Sequence, residues 1–294
     1  MSHHGLAFRE KNVPCMSMAS NVSVSVVVPT LNSASTLNKT LESIYNQICL
    51  PTEVILVDGF STDRSLDIFN SFRRECDQII TAPRCGPYAA MNIGINHARC
   101  EIVAILNSDD YWASIDLLQV VTRIFRENNE RLAVLHGDIQ VQTQEGKLKS
   151  IIKPSARYEI FCGLGLPFCH PAAFIRRDAY LLYGKYNWIS FPNQADRDFG
   201  FRLNRHHVDS IYIPKVFTIF RTGGLSCNNY DKQESARIIS TLPPLGSLVG
   251  RVIGTLTEYH PQYYSGHNKL NIMRHFCDLL RIFLTRVMHI VTKH

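Results

Sequence analysis

Nowhere in the 294 residues do eighteen apolar residues run without a charge, so the sequence offers no conventional transmembrane helix. Residues 1-22 carry His3, His4, Arg9, Glu10 and Lys11 and lack the uninterrupted apolar core of a secretory signal. The stretch 1-21 is therefore expected to be a flexible tail. The nine cysteines, Cys15, Cys49, Cys76, Cys85, Cys100, Cys162, Cys169, Cys227 and Cys277, share no repeated short spacing and are odd in number, which argues against a disulfide framework. Cys162, Cys169 and His170 come nearest to a zinc cluster, but no second close pair accompanies them. No GxGxxG turn follows the first strand, which excludes a nicotinamide dehydrogenase. No Gly-rich basic phosphate loop stands there either, which argues against a nucleotidyltransferase. These absences leave a chain expected to fold in water, with reduced thiols, in the cytoplasm.

What is present is enough apolar material for a large core, 45% of residues, and a formal charge of +6 that suits an anionic partner. The basic residues are dispersed and form no recognised module, so nucleic acid is not the expected partner.

Val22-Ser23-Val24-Ser25-Val26-Val27-Val28, closed by Pro29, has the β-branched content of a strand entering a loop. A helix is expected next, capped by Ser33 or Ser35, with Leu37, Leu41, Ile44, Tyr45 and Ile48 on one face and Pro51 stopping it. Val54-Ile55-Leu56-Val57 reads as a second strand ending at Asp58, and Ser61-Thr62-Asp63 as the cap of a second helix. A short strand from Gln78 to Thr81, a helix over 87-98 and the apolar run Ile102 to Leu106 follow. This βαβαβ order with continuous apolar strands predicts a mostly parallel sheet, with ligands bound at the carboxyl ends of its strands. Beyond a helix near 114-128 the pattern loosens. Ala133-Val134-Leu135 leads to Gly137-Asp138, Glu145-Gly146 marks a hairpin turn, and helices are expected near 177-183 and 194-206.

Asn107-Ser108-Asp109-Asp110 follows the third apolar run, so a buried strand delivers two carboxylates to a crevice. Carboxylate oxygen suits a hard divalent cation, which neutralises charge on a departing diphosphate. Asp58 falls at another strand end, where it can accept a bond from a base imide N–H or simply turn the chain before Gly59.

Several segments together carry a resemblance. Val26-Val27-Val28-Pro29-Thr30-Leu31-Asn32, Val57-Asp58-Gly59-Phe60-Ser61-Thr62-Asp63, the stretch Gly86-Pro87-Tyr88-Ala89-Ala90-Met91-Asn92-Ile93-Gly94-Ile95 and Leu106-Asn107-Ser108-Asp109-Asp110 occur in the order seen in the inverting glycosyltransferases of the large family 2. His170-Pro171 with Phe174-Ile175-Arg176-Arg177, and Phe220-Arg221-Thr222-Gly223-Gly224-Leu225-Ser226, resemble segments of the bacterial polysaccharide members. The resemblance implies an α/β GT-A fold over 22-227, with a mostly parallel central sheet, flanking helices and a mixed second half.

It also implies a reaction, in which a sugar leaves a nucleotide-diphospho-sugar, a UDP-sugar above others, for a saccharide or lipid-linked saccharide acceptor. In that reading Asp58 contacts the base, Asp109 with Asp110 holds Mn²⁺ or Mg²⁺, and Asp196 is the general base, with Asp198 its rival. Pro29, Thr30, Asn32, Tyr88, Asn92, Asn107, Ser108, His170 and Arg221 are the expected donor-binding set. His170 has either a donor phosphate or an acceptor hydroxyl to bind. Tyr88 and Trp112 have either base and sugar to stack on or the core to fill. Three positions depart from the family pattern: Asn107 replaces the first acid of its DXD motif, Ala89 stands where many relatives have Asp, and Arg84 where an acid often precedes the loop. A catalytically weak sugar-nucleotide-binding scaffold is the alternative these departures keep open.

Residues 228-294 are expected to form a helical extension. Within it, Ile272, Phe276, Leu279, Leu280, Phe283, Val287 and Ile290 recur at helical spacing beside Arg274, Arg281, Arg286 and Lys293. Such a basic amphipathic helix either lies on an anionic membrane surface, here the cytoplasmic face of the inner membrane, or docks on the protein's own core.

Overall fold

The computed structural model describes residues 22–84, 86–128, 131–154 and 168–223, with residues 233, 234, 237 and 238 besides. The expected tail over 1-21 and the amphipathic helix over 270-294 lie outside the described residues. So does most of the extension over 228-294.

β1 (Val24–Thr30), β2 (Glu53–Asp58) and β4 (Ile102–Ile105) are buried along their whole length. That is why their sequences are nearly unbroken apolar runs rather than alternating ones. With β3 (Gln78–Thr81) they form four parallel neighbours in the order β3-β2-β1-β4. The second half completes the sheet differently. β8 (Ala173–Arg176) lies antiparallel between β4 and β6 (Val134–Gln142), β9 (Ser210–Arg221) runs parallel to β6, and β5 (Tyr111–Trp112) pairs antiparallel with β9. β7 (Leu148–Ile152) returns antiparallel to β6 through the turn at Gly146. The sheet is thus parallel in its first half and mixed in its second.

The helices are α1 (Leu37–Tyr45), α2 (Ser65–Phe72), α3 (Pro87–His97), α4 (Leu117–Glu127), α5 (Arg177–Tyr183) and α6 (Ala195–Arg205). α3 packs on β1 and β2. The close approach depends on Gly94, where a Cβ would sit 2.2 Å from Val27 Cγ1. Two local expectations are corrected. Neither Ser33 nor Ser35 caps α1 through its side chain; Thr36 precedes the helix, and the Ser33 hydroxyl bonds to Ser108 instead. Ile48 does not continue the apolar face, because the helix ends at Tyr45. The chain then crosses to bond Ile48 N–H to the Ile115 carbonyl at 2.8 Å, leaving Ile48 59% exposed. Asp63 does serve the start of α2, accepting from the Ser65 amide at 2.9 Å and its hydroxyl at 2.6 Å.

His136 on β6 is buried among Phe168 and Tyr212, and its Nδ1 has no partner. Burial pushes its pKa down to about 4. The unfolded chain takes up a proton near pH 6.5 that the native state refuses, so stability contributed above that pH is lost as pH falls toward 4. A loss of about 3 kcal/mol across that window is expected from urea midpoints. His136→Phe should flatten this part of the profile; an unchanged slope would assign the acid sensitivity elsewhere.

Candidate active site

The carboxyl ends of β2, β1 and β4 are adjacent, because those strands are parallel neighbours. Asp58 ends β2, Thr30 ends β1, and Asp109 lies in the turn after β4. One rim therefore carries the two carboxylates expected to meet a donor. The loops beneath are tied to each other. Asn32 N–H donates to Ser61 Oγ at 2.9 Å, Thr62 N–H donates to Asn32 Oδ1 at 2.8 Å, and Gly59 N–H to the Thr30 carbonyl at 2.8 Å. Asp58 is buried; its Oδ2 accepts from Ser61 N–H at 3.0 Å, while Oδ1 has no partner. An acceptor left so in a buried position carries a desolvation cost that a ligand N–H removes.

The Asn107–Asp110 turn is anchored from three directions. The Ser108 hydroxyl lies 2.7 Å from that of Ser33, and its carbonyl accepts from Thr36 Oγ1 at 2.8 Å and Thr40 Oγ1 at 3.0 Å. Arg221, at the end of β9, bonds through Nε to the Asp109 carbonyl and through Nη2 to the Thr36 carbonyl at 3.3 Å. Asp110 is fully buried, with Oδ1 accepting from Arg221 N–H and Oδ2 from Asn107 Nδ2, both at 3.0 Å. Burial and then the neighbouring Asp109 charge push its carboxyl well above the ordinary range. With both oxygens taken up by protein donors, the buried Asp110 side chain braces the turn. Asp109 differs. It is partly exposed, and the only protein donor to its carboxylate among the described residues is its own backbone amide. Burial pushes its pKa up as well, opposed by its own amide and by the Arg221 charge. Among the described residues no three carboxylates, histidines or cysteines cluster as a ready-made cation cage. The donor set present thus fits a hard cation that takes one protein carboxylate and completes its shell with diphosphate and water oxygen.

A second centre forms where the second half meets α3. Asp196, in the first turn of α6, accepts from the Tyr88 hydroxyl at 2.6 Å through Oδ1, and His170 Nδ1 lies 3.2 Å from Oδ2. An ionised carboxylate only accepts, which assigns the proton to Nδ1. His170 Nε2 is buried and unpartnered among the described residues. Burial would raise the Asp196 pKa, but the hydrogen bond and charge of His170 and the bond from Tyr88 hold it below the usual carboxylate range. Burial and the Asp196 charge push the Tyr88 hydroxyl far up, so it remains a donor. Asp196 keeps 16% of its side-chain surface exposed, enough for a hydroxyl to reach. Asp198 is already claimed: Arg202 Nε donates to it at 2.9 Å while the same guanidinium holds the carbonyls of Tyr183, Gly184 and Lys185.

The family described as "Glycosyl transferase family 2" matches residues 25–182, more than half of the chain. The chain belongs to glycosyl transferase family 2. A "PGL/p-HBAD biosynthesis glycosyltransferase" of Mycobacterium bovis is 30% identical over 250 residues, spanning 82% of this chain and 92% of that one. An uncharacterized glycosyltransferase of Haemophilus influenzae is 28% identical over 185 residues, 62% and 70% of the two chains. The S. aureus TarS structure in complex with UDP-GlcNAc superposes with a TM-score of 0.61 at 18% identity, over 82% of this chain and 74% of that one. A mannosyltransferase from Pyrobaculum calidifontis, in complex with GDP-Man and Mn²⁺, gives 0.55 at 18% identity, over 79% and 69%. These likenesses establish the GT-A architecture for this family 2 glycosyltransferase.

Several residues expected to contact the donor have protein partners of their own. Asn92 gives both amide atoms to the backbone of Tyr186, donating to its carbonyl at 2.8 Å and accepting from its N–H at 3.0 Å. Tyr88 and His170 face Asp196 rather than being free for the donor, and Trp112 is core against Phe174. Thr30 bonds to the Val28 carbonyl, and Pro29 lies within β1 opposite Val57. Asn107 acquires a physical reason: its amide donates to Asp110, which an ionised acid at that position could not do. Lys39, whose Nζ sits 3.9 Å above the Tyr111 ring beside Arg221, adds a cation near the turn. No spacing could have marked a lone lysine on the exposed face of α1.

Asn92→Ala should cost about 2–3 kcal/mol, because it strands two backbone groups of Tyr186. A shift in the denaturant midpoint below about 0.5 kcal/mol would show that water replaces the amide.

Proposed function

We propose that the chain transfers a sugar from a nucleotide-diphospho-sugar to a hydroxyl of a saccharide or lipid-linked saccharide, with inversion at the anomeric carbon. The observation that carries the reading is Asp196, ionised, partly exposed and oriented by two donors on its two oxygens. The acceptor hydroxyl attacks the anomeric carbon as the bond to the diphosphate breaks, and its proton passes to the Asp196 carboxylate. The nucleoside diphosphate leaves on the opposite face, so a single displacement inverts configuration. Tyr88 and His170 hold the carboxylate so that no reorganisation is needed when the proton arrives.

Asp58 Oδ1 is the acceptor for a base N–H. Asp109 would hold Mn²⁺ or Mg²⁺ together with the donor's own oxygens, and the cation when bound neutralises charge on the departing diphosphate. Lys39 and Arg221 add fixed positive charge nearby. The substrate-bound complexes named for the TarS and Pyrobaculum enzymes support a nucleotide-sugar donor for this chain also. A cytoplasmic site of action, at the inner face of the membrane through 270-294, belongs to the same reading.

The test is release of nucleoside diphosphate from a panel of UDP-, dTDP- and GDP-sugars, with and without Mn²⁺, with the anomeric configuration of the freed or transferred sugar read by NMR. Metal-stimulated release from a UDP-sugar with inversion is expected. Retention of configuration, or no release from any donor with either metal, would sink the proposal.

A further inference from the structure

Asp138 is a buried acid that the reaction above does not use, and the sheet departs from regularity to present it. On β6 it stands between two shifts of register against β9: His136 is opposite Tyr212, Asp138 opposite Val216, and Ile139 opposite Thr218. The step from His136 to Asp138 thus spans two residues on β6 and four on β9, a bulge of the kind that re-aims a side chain. Gly137 makes room for it, since a Cβ there would sit 2.5 Å from the Phe217 ring and 2.7 Å from the Lys215 carbonyl oxygen. Tyr212 donates its hydroxyl to Asp138 Oδ1 at 2.6 Å, and its ring centre lies 5.5 Å from that of His136. Among the described residues no other side chain donates to Asp138, which leaves Oδ2 to accept from elsewhere. Tyr212 is half-buried and so reaches solvent, whereas His136 and Phe168 are buried.

This cluster lies beside Asp196. Phe168, Cys169 and His170 run from one to the other: the Phe168 ring centre is 6.1 Å from that of His136, and His170 Nδ1 is 3.2 Å from Asp196 Oδ2. Two Cα–Cα steps cap the Phe168 to His170 backbone separation at about 7.6 Å. Cys169, between them, feels both acids. Burial pushes its thiol up to about 12, and the charges of Asp196 and then Asp138 add to the rise. We propose that Asp138 and Tyr212 form a subsite for the acceptor sugar, binding a hydroxyl that does not react while a neighbouring hydroxyl of the same ring faces Asp196; this rests on the transfer reading above. A saccharide presents hydroxyl donors at its edge and C–H groups on its faces. Asp138 Oδ2 is an acceptor for the first, and the partly exposed Tyr212 ring is a surface for the second. Two acids this close disfavour an anionic group at the same place.

The test is binding of the methyl glycosides of glucose, galactose, mannose, rhamnose and N-acetylglucosamine to the full chain with UDP and Mn²⁺ present, read by saturation-transfer difference NMR. Wild type, Asp138→Ala and Tyr212→Phe are compared, with UDP affinity and Tm recorded for each. At least one glycoside is expected to bind wild type saturably. Asp138→Ala should weaken that glycoside about tenfold and Tyr212→Phe about threefold, with UDP affinity within about twofold of wild type in both. Tyr212→Phe keeps the half-buried ring and removes only the hydroxyl that fixes Asp138, so it carries the test where Asp138→Ala does not fold. A pair that merely pins β6 to β9 would lower Tm and leave the glycoside affinity of the folded variants unchanged, and that result overturns the inference. So does a wild type that binds UDP and none of the glycosides. A wild type that binds no UDP sinks the donor reading, and the subsite with it.

Discussion

Replacement of Asp196 by Asn is expected to lower kcat for transfer by about a thousandfold while leaving nucleotide affinity within twofold. The amide keeps the size of the carboxylate and its Oδ1 still accepts from Tyr88, but it has no basic oxygen for the acceptor proton. Its NH2 also meets the His170 Nδ1 proton, which forces the ring to its other tautomer or out of contact. The loss therefore falls on the chemical step and not on donor binding. Asp198→Asn makes the counterpart: it disturbs the Arg202 contact and so reads out in stability, with turnover of the folded enzyme close to wild type. Activity of Asp196→Asn within tenfold of wild type would move the proton to another group, and a large kcat loss in Asp198→Asn would name it.

The second large effect is expected at the turn after β4. Asp109→Asn should reduce metal-supported turnover by about two to three orders of magnitude and raise the Mn²⁺ concentration needed for half-maximal rate. Asp110→Asn should behave otherwise. Its new amide would point a donor at Asn107 or at the Arg221 amide inside a fully buried site, costing about 2–3 kcal/mol of stability. The adjacent acids thus separate by readout, the first by metal dependence and the second by unfolding midpoint. Similar metal dependence in both variants would return Asp110 to the cation.

The first half of the fold was legible because burial on both faces leaves a plain mark. β1, β2 and β4 are apolar from end to end, and only a covered parallel strand needs that. The placement of Asp58 and Asp109 at strand ends followed from the same marks. β9 was not legible, since Pro214 and Lys215 interrupt it and it pairs in parallel with a strand more than seventy positions earlier. Among site residues, Asp196 was preferred to Asp198 by likeness, and Arg202 adds a physical reason by holding Asp198 together with carbonyls that no sequence pattern marks. Tyr88 and His170 were picked out for the donor and lie against Asp196, a partner 108 and 26 positions away. Asn92 was expected among the donor-binding residues, yet its amide serves the backbone of Tyr186, 94 positions on. Polar side chains report their type in a sequence and not their destination.

The antiparallel insertion of β8 between β4 and β6 sets an order on the birth of this protein. As the chain leaves the ribosome, β1, β2 and β3 can associate with β4, but the outer edge of Ile102-Val103-Ala104-Ile105 stays unpaired until residues 173–176 emerge. An apolar open edge is a template for pairing with other nascent chains. The half-made enzyme is therefore more aggregation-prone than the finished one, and expression yield should respond to pausing or chaperone supply between those two points of synthesis.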